Sequence, residues 1–401
     1  MDTTNTKVIS IGLFGSLNSG KCSLSVQLAI KFGNIATPKE FKYNNKVYKI
    51  LPIPCTKPDY KEYFEMSVLN CEIAVVLIDT SKLESNNPNK EMQEYYTELL
   101  MMFYVNNIEM VLFCFTKEDL CDKDKNVNEY KQQFMQFINE TNSKMIDLFT
   151  LTQIKLEYIN NINAQEGVGL TQVVQVIDSY SHLNKNDSTN SQFQIFDSYI
   201  DNEEGFMVVS GKVLNGEISL NDKLKLCGHD NCPTFTPAKI CNNKGMYINT
   251  VYPKEFSTLK IRKDLFESVN LTHLSKSYLI TSENLSVPLF TTFEADIMLT
   301  KVPCAVIAKG FYFVLSSYSF NVECQVESIQ GKYEGGKIVK KPCISCEPFY
   351  KAKVILTIKE PITRNKYEFD QTLGCFIMQK GDTTFGCGKI NKYKKYFHNY
   401  L

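Results

Sequence analysis

The amino-acid sequence predicts an α/β domain with a parallel sheet, followed by two all-β barrels. Three observations support this fold class. The chain has 401 residues, and at about 100–200 residues per domain it accommodates two to four domains. Up to about residue 183, apolar runs of strand length alternate with amphipathic runs of helix length. Beyond a polar stretch at 184–191, short β-rich runs separated by Gly, Asn and Pro replace the helical periodicity.

The first domain is predicted to span residues 1–185. Uniformly apolar runs predict buried strands, and runs with apolar residues three or four apart predict helices. In chain order these runs are 8–14, 23–32, 49–53, 73–78, 90–103, 110–115, 130–138 and 154–159. Because strands and helices alternate, successive strands are expected to pair in parallel through helical crossovers.

The β-rich half is predicted to form two barrels, at 192–285 and 288–399. Its length of about two hundred residues suits two barrels of ordinary size. The strand-like runs are 206–213, 218–226, 294–299, 311–315, 352–358 and 374–378, with a turn at Asn215-Gly216. Pro288 marks the border, because proline cannot donate a ladder hydrogen bond.

The composition excludes several functions. Lys plus Arg and Asp plus Glu both number 44, and 43% of the residues are hydrophobic, which is typical of a globular chain. The only arginines are Arg262 and Arg364, so base-specific DNA recognition through bidentate guanidinium contacts is not expected. No apolar run reaches the ~18 residues of a membrane helix, and the N-terminus resembles no secretory signal. We therefore expect a cytoplasmic protein whose 14 cysteines are reduced.

The clearest chemical signal is a glycine-rich loop between the first strand and the first helix. Gly15-Ser16-Leu17-Asn18-Ser19-Gly20-Lys21 has the form G-x-x-x-x-G-K of a phosphate-binding loop, or P-loop. In such a loop, backbone N–H groups and the helix N-terminus face an anion. The alternative interpretation is an ordinary glycine turn with a solvated lysine. The nucleotide-binding residues predicted in this segment are Asn18, Ser19, Gly20, Lys21, Cys22 and Ser23.

Two further segments follow predicted strands and suit a guanine base. Thr116-Lys117-Glu118-Asp119 has the form [NT]KxD, in which the Asp119 carboxylate accepts hydrogen bonds from the ring N–H and the exocyclic amine of guanine. The aliphatic stem of Lys117 can lie along the base. The segment of Asn163 and Ala164 is similar to the SAxxG loop, whose backbone contacts the base edge. The predicted base-binding residues are Thr116, Lys117, Asp119, Asn163 and Ala164.

With these motifs the chain resembles a translational GTPase of the elongation-factor-one-alpha group, and within it the eukaryotic class II peptide chain release factor. Residues 374–384 and 385–390 are similar to that family's GRFTLRD segment and terminal TTIAIGKI strand. The resemblance implies a P-loop G domain with two β-barrels, GTP hydrolysis, and a role in translation termination on the ribosome. It also implies that the third domain binds the stop-codon-recognising class I release factor, at Gly374, Phe376 and Lys380.

A second function is left open by the same motifs. The sister factor that partners Pelota in ribosome rescue shares most of the barrel motifs. Rescue or mRNA surveillance, with Pelota or an exosome adaptor as the partner, is therefore the alternative to termination.

Departures from the family pattern predict impaired chemistry. Cys22 replaces the hydroxyl residue that normally ligates Mg²⁺, and a soft thiol is a poor ligand for that ion. Residues 53–57 align with the family's DxPGH loop but lack its Asp, Gly and His, and only Thr37 stands in for the γ-phosphate-sensing threonine. We therefore expect no catalytic residues and weak or absent GTP hydrolysis. The site is still expected to bind GTP or GDP weakly and without Mg²⁺, so the domain would be a pseudo-GTPase scaffold.

Two remaining features have simple interpretations. Cys227, Cys232 and Cys241, and Cys343 with Cys346, lack a second C-x-x-C at zinc-finger spacing, so no structural metal is expected. The basic segment 389–398 alternates lysines with aromatics, which suits RNA, but a solvated terminus is the simpler interpretation.

Overall fold

A computed structural model describes residues 8–33, 40–52, 71–83, 90–121, 126–180, 190–227, 233–242, 245–266, 279–285, 287–300, 306–317, 320–345, 347–381 and 383–394. The chain divides into two compact units, Met1–Asn184 and Lys185–Leu401.

The first unit is an α/β domain built on a six-stranded sheet. Its strands are β1 (Val8–Gly15), β2 (Glu40–Tyr43), β3 (Lys46–Pro52), β4 (Ile73–Asp79), β5 (Met110–Thr116) and β6 (Lys155–Ile162). They lie in the order β2-β3-β1-β4-β5-β6, and every neighbouring pair is parallel except the β2–β3 hairpin at the edge. The predicted parallel α/β domain is therefore confirmed.

Burial explains why these strands could be recognised. Every residue of β4 and β5 is buried, because helices cover both faces of a parallel sheet and its central strands become continuous apolar runs. The helices are α1 (Lys21–Phe32), α2 (Lys90–Val105), α3 (Val127–Leu148) and α4 (Leu170–Tyr180). Helices α1, α3 and α4 each bury one stripe of side chains, and in α1 the stripe includes Leu24, Leu28 and Ala29. The second half of α2 is buried on all sides, over residues 99–105.

The β2–β3 hairpin was not predicted, although its signal is present. Asn44 and Asn45 have φ angles of 46° and 60°, which two-residue type I′ hairpin turns require and which asparagine tolerates better than most residues. Helix α4 was also not predicted, although Leu170, Val173, Val174 and Ile177 follow a helical period and are buried.

The second unit contains two large β-sheets with separate cores. The first has the order β11-β10-β16-β7-β8-β15-β12-β13. Together with the pair β9 and β14, its strands are β7 (Gln192–Asp201), β8 (Phe206–Asn215), β9 (Ile218–Ser219), β10 (Leu224–Cys227), β11 (Thr234–Phe235), β12 (Lys239–Asn242), β13 (Tyr247–Ile248), β14 (Thr250–Val251), β15 (Phe256–Arg262) and β16 (Leu279–Ser282).

The second sheet of this unit has the order β19-β24-β25-β17-β23-β20-β21, and an additional pairing of β19 with β20 closes it into a barrel. Together with the pair β18 and β22, its strands are β17 (Leu289–Leu299), β18 (Val306–Ile307), β19 (Tyr312–Ser317), β20 (Phe320–Glu334), β21 (Lys337–Val339), β22 (Ile344–Ser345), β23 (Lys351–Thr363), β24 (Cys375–Lys380) and β25 (Thr383–Lys394). The fold class, an α/β P-loop domain followed by β-barrels, is confirmed. The limits 192–285 and 288–399 stay a prediction.

The basic segment of this unit differs from its sequence-based interpretation. The basic segment is not a solvated terminus over 389–394, because these residues belong to β25, which pairs with β17 up to Thr292 and Lys394. Residues 395–398 lie outside the described ranges.

Among the helices in the described part of the chain, none combines the length and the apolar composition that crossing a membrane requires.

Candidate functional site

The glycine-rich loop leaves β1 and enters α1 in a shape that its sequence dictates. Gly15 and Gly20 have φ angles of 134° and 100°, and Asn18 between them has 63°. A Cβ atom on Gly15 would lie 2.3 Å from the carbonyl oxygen of Leu77, so only glycine fits beside β4 at this point. The two glycines of G-x-x-x-x-G-K are therefore explained by backbone geometry.

Lys21 is held inside this loop. Its side chain donates from Nζ to the carbonyl oxygens of Gly15 and Ser16, both at 2.7 Å, and to Ser19 Oγ at 3.3 Å. The residue is 3% exposed. The alternative of a solvated lysine on an ordinary turn is therefore wrong, and the loop carries a buried positive charge at the start of α1.

The [NT]KxD segment is joined directly to the glycine-rich loop. Thr116, the last residue of β5, has a hydroxyl hydrogen that is shared between the carbonyl oxygens of Ser19 and Ile78, each 3.1 Å from Oγ1. Lys117 follows with φ 61° and ψ 33°, a left-handed conformation. Asp119 is exposed on the short 3-10 turn that comes next. The predicted phosphate and base elements thus meet at one edge of the sheet.

The third predicted segment reaches the same edge through β6. Ile162 pairs with Thr116, and Asn163 follows it. The Asn163 Oδ1 atom accepts hydrogen bonds from the backbone N–H groups of Gln165 and Glu166 at 3.0 and 3.2 Å. Ala164 is 8% exposed and packs on the core, whereas the side chains of Gln165 and Glu166 after it are exposed.

At the position where a P-loop normally ligates Mg²⁺, the described residues of this loop offer no strong ligand. Cys22 is exposed in the first turn of α1, and Ser23 beside it is half-buried. Residues 53–57 and Thr37 lie outside the described ranges. The donor set therefore fits an anionic nucleotide, through Lys21 and the loop backbone, better than it fits Mg²⁺.

Asp79, which the sequence motifs did not single out, also lies at this edge of the sheet. It is the last residue of β4 and is 4% exposed. Its Oδ2 atom lies 3.0 Å from Lys117 Nζ, and its Oδ1 atom accepts a hydrogen bond from Ser81 Oγ at 2.6 Å. A polar run directly after a buried strand could have identified it, because side chains at the carboxyl ends of parallel strands gather at one edge.

The partner-binding residues predicted in the last barrel, Gly374, Phe376 and Lys380, differ in their accessibility. Phe376 is 1% exposed and its ring packs against Phe293 in the barrel core, with centroids 5.8 Å apart. Gly374 is buried, and a Cβ atom there would lie 2.4 Å from the backbone of Tyr367. Neither can offer a side chain to a partner. Lys380 is exposed, with its Nζ 4.5 Å from the centre of the Phe311 ring.

The cysteine groups considered for zinc are only partly described, since Cys232 and Cys346 lie outside the described ranges. Within those ranges, no three His, Cys, Asp or Glu side chains come together to hold a metal ion.

Three solved structures of translation elongation factors have a fold similar to that of this chain. Translation elongation factor SelB from Methanococcus maripaludis has a TM-score of 0.62 at 16% identity, covering 98% of this chain and 81% of SelB. Its complex with the GTP analogue GPPNHP scores 0.63. Bacterial selenocysteine-specific elongation factor EF-Sec scores 0.60 at 12% identity, covering 96% of this chain and 58% of that protein. These likenesses show the fold, and it is the three-domain fold that the predicted resemblance to translational GTPases implied.

One curated relative resembles part of this chain in its amino-acid sequence. It is the eukaryotic peptide chain release factor GTP-binding subunit of Candida maltosa, 27% identical over 190 residues. The match covers 46% of this chain and 25% of the relative, so it spans only a quarter of that protein. No protein-family model matches the chain.

Proposed function

We propose that the chain is a translation termination factor of the class II release-factor type that binds a guanine nucleotide and hydrolyses GTP weakly or not at all. The observation that carries this proposal is the hydrogen bond from Thr116 Oγ1 to the carbonyl oxygen of Ser19, which joins the phosphate loop to the base segment. The release-factor relative is named as a GTP-binding subunit, which supports the same assignment.

The nucleotide is proposed to lie along the carboxyl edge of the sheet. Lys21 and the backbone N–H groups of the loop would face the phosphates, together with the start of α1. This part of the site comprises Asn18, Ser19, Gly20, Lys21, Cys22 and Ser23. At the other end, Asp119 is exposed and receives no hydrogen bond from the described residues, so its carboxylate is available to the N–H groups of guanine.

Weak hydrolysis is proposed from the chemistry around the phosphates. Mg²⁺ requires hard oxygen ligands in near-octahedral geometry, and the position after Lys21 offers a thiol instead. When bound, the metal neutralises the charge that develops on the transferred phosphoryl group. Lys21 alone supplies one positive charge, and it is already shared among three oxygen atoms of the loop.

Nucleotide binding can be tested with a fluorescent GDP analogue and the full chain. We expect Asp119→Ala to abolish the fluorescence change. Asp264→Ala is the control and should leave the change unaltered, because Asp264 forms an exposed ion pair with Arg262 in the other unit. An unchanged affinity in Asp119→Ala would show that the base lies elsewhere. GTP turnover at the rate of an intact translational GTPase, alone or with ribosomes, would refute the proposed loss of hydrolysis.

Termination is proposed to involve the class I release factor, bound through the last barrel. Of the predicted contact residues only Lys380 has an accessible side chain. In a binding assay with purified class I factor, Lys380→Ala should weaken binding, whereas Lys359→Ala should not, although Lys359 is also exposed on this barrel. Recovery of Pelota alone would instead favour ribosome rescue.

A further inference from the structure

Asp79 is a buried carboxylate whose partners all belong to the edge of the proposed nucleotide site. Its side chain is 2% exposed, and a buried charge is costly unless it is paired and hydrogen-bonded. Lys117 Nζ and Ser81 Oγ supply the two short contacts, at 3.0 and 2.6 Å, and Lys82 Nζ lies 3.9 Å from Oδ2. The charge is thus balanced by neighbours from two loops.

The ion pair selects one conformation of Lys117. A lysine side chain has many rotamers and is ordinarily solvated, so an unpaired Lys117 would sample several directions. Here its backbone is already in the left-handed region, which is uncommon for a residue with a Cβ atom. The Asp79 contact then fixes the ammonium group, while the side chain as a whole remains 30% exposed.

The same short segment also touches the phosphate loop. Lys82, three residues after Asp79, donates from Nζ to the carbonyl oxygen of Leu17 at 3.0 Å. Asp79 itself pairs with Thr116 across β4 and β5, and the 3-10 turn Thr80–Lys82 packs against the turn Glu118–Leu120. The segment 79–82 therefore connects both halves of the proposed site.

From this geometry we propose that Asp79 is a positioning residue for the base pocket, which holds Lys117 flat along the guanine ring beside Asp119. The inference rests on the proposed function. It predicts that the contribution of Lys117 to nucleotide affinity depends on Asp79. If Asp79 had a purely structural role, the contribution of Lys117 would be the same with and without it.

A double-mutant cycle on the full chain separates these two roles, with the fluorescent GDP analogue as probe. We expect Asp79→Asn to weaken GDP binding about tenfold in the wild-type background, as for loss of a hydrogen bond between charged groups. In a Lys117→Met background the same change should cost less than about twofold, because the residue that Asp79 positions is gone. Glu157→Gln, at an exposed pair with Lys155, should have no effect in either background.

Three outcomes overturn the inference, and each is distinct. Equal losses in both backgrounds would mean that Asp79 acts through folding alone. Unchanged affinity in Asp79→Asn would mean that Lys117 needs no positioning. Absence of GDP binding by the wild-type chain would overturn the proposed function together with this inference.

A second measurement needs no variant, and so serves if Asp79→Asn does not fold. Amine labelling of the wild-type chain with acetic anhydride should modify Lys117 more slowly than Lys82, whose side chain is 54% exposed, and GDP should slow Lys117 further. Equal labelling rates, or no protection by GDP, would contradict the inference.

Discussion

The β2–β3 hairpin is hydrogen-bonded to α4 through the carboxylate of Asp178, and removing that charge should make local opening of the hairpin more frequent. Asp178 accepts hydrogen bonds from Asn44 Nδ2 at 2.8 Å, Lys46 Nζ at 2.8 Å and Tyr48 Oη at 2.6 Å. Its side chain is 8% exposed. All three donors come from the hairpin, so a single isosteric change, Asp178→Asn, tests the whole attachment.

The size of the effect follows from the pKa of Asp178. Burial opposes ionisation, but hydrogen bonds from Lys46, Tyr48 and Asn44 outweigh it and lower the pKa from 3.8 to about 2. At ~1.36 kcal/mol per pKa unit, this shift corresponds to roughly 2.5 kcal/mol. Because Asn44 is exposed and solvent screens part of the interaction, we expect about 1–2 kcal/mol. A lowered pKa means that this stabilisation is present above pH 3.8 and is lost as the pH falls toward 2.

Native-state hydrogen exchange of the amides in 40–52 measures this attachment without requiring the whole chain to unfold. At pH 7, Asp178→Asn should raise their exchange rates about 5- to 30-fold, as 1–2 kcal/mol of opening free energy implies. Glu157→Gln is the matched control, because the Lys155–Glu157 pair is 2.9 Å long but 51% and 38% exposed. Exchange within a factor of two of the wild type in Asp178→Asn would refute the reasoning.

Three further variants have defined outcomes. Gly15→Ala should lower the melting temperature and abolish GDP binding, since a Cβ atom would clash with the Leu77 carbonyl; Gly205→Ala is the control, with a positive φ of 71° but no atom within 4 Å. Phe376→Ala should destabilise the last barrel by about 3–5 kcal/mol in denaturant unfolding, because it empties a core site; a loss of partner binding with unchanged stability would instead place Phe376 at an interface. Cys22→Ser should make GDP affinity rise when Mg²⁺ is added, and calorimetry showing no such change would mean that other missing ligands decide the metal affinity.

The parts of the fold that the sequence predicted are those in which local pattern and tertiary environment agree. Strands β4 and β5 are apolar throughout because both of their faces are covered. The phosphate loop could be predicted because its glycines occupy backbone angles that other residues avoid. The edge hairpin was missed because β2 is only four residues long, although its Asn-Asn turn was visible.

The remaining features depend on partners far apart in the chain. The ion pair of Asp79 joins residues 38 apart, and the bonds of Asp178 join residues 130 to 134 apart, so neither could be inferred from a local pattern. The burial of Phe376 could not be predicted for a different reason. Every residue of β24 except Lys380 is buried, so both faces of this strand are covered, and a short motif does not reveal which neighbouring strands and loops cover it.

The central claim is that this chain binds a guanine nucleotide without needing Mg²⁺. Because residues 53–57 lack the Asp, Gly and His of the family's DxPGH loop, we also expect the site to distinguish GTP from GDP only weakly. Calorimetric titration of the full chain with GDP and with GTP, each in Mg²⁺ and in EDTA, measures it most directly. The account predicts binding in all four titrations, with dissociation constants within about tenfold of one another, or ~1.4 kcal/mol. Absence of binding, or GTP binding that requires Mg²⁺ and exceeds GDP binding by more than that factor, would contradict it.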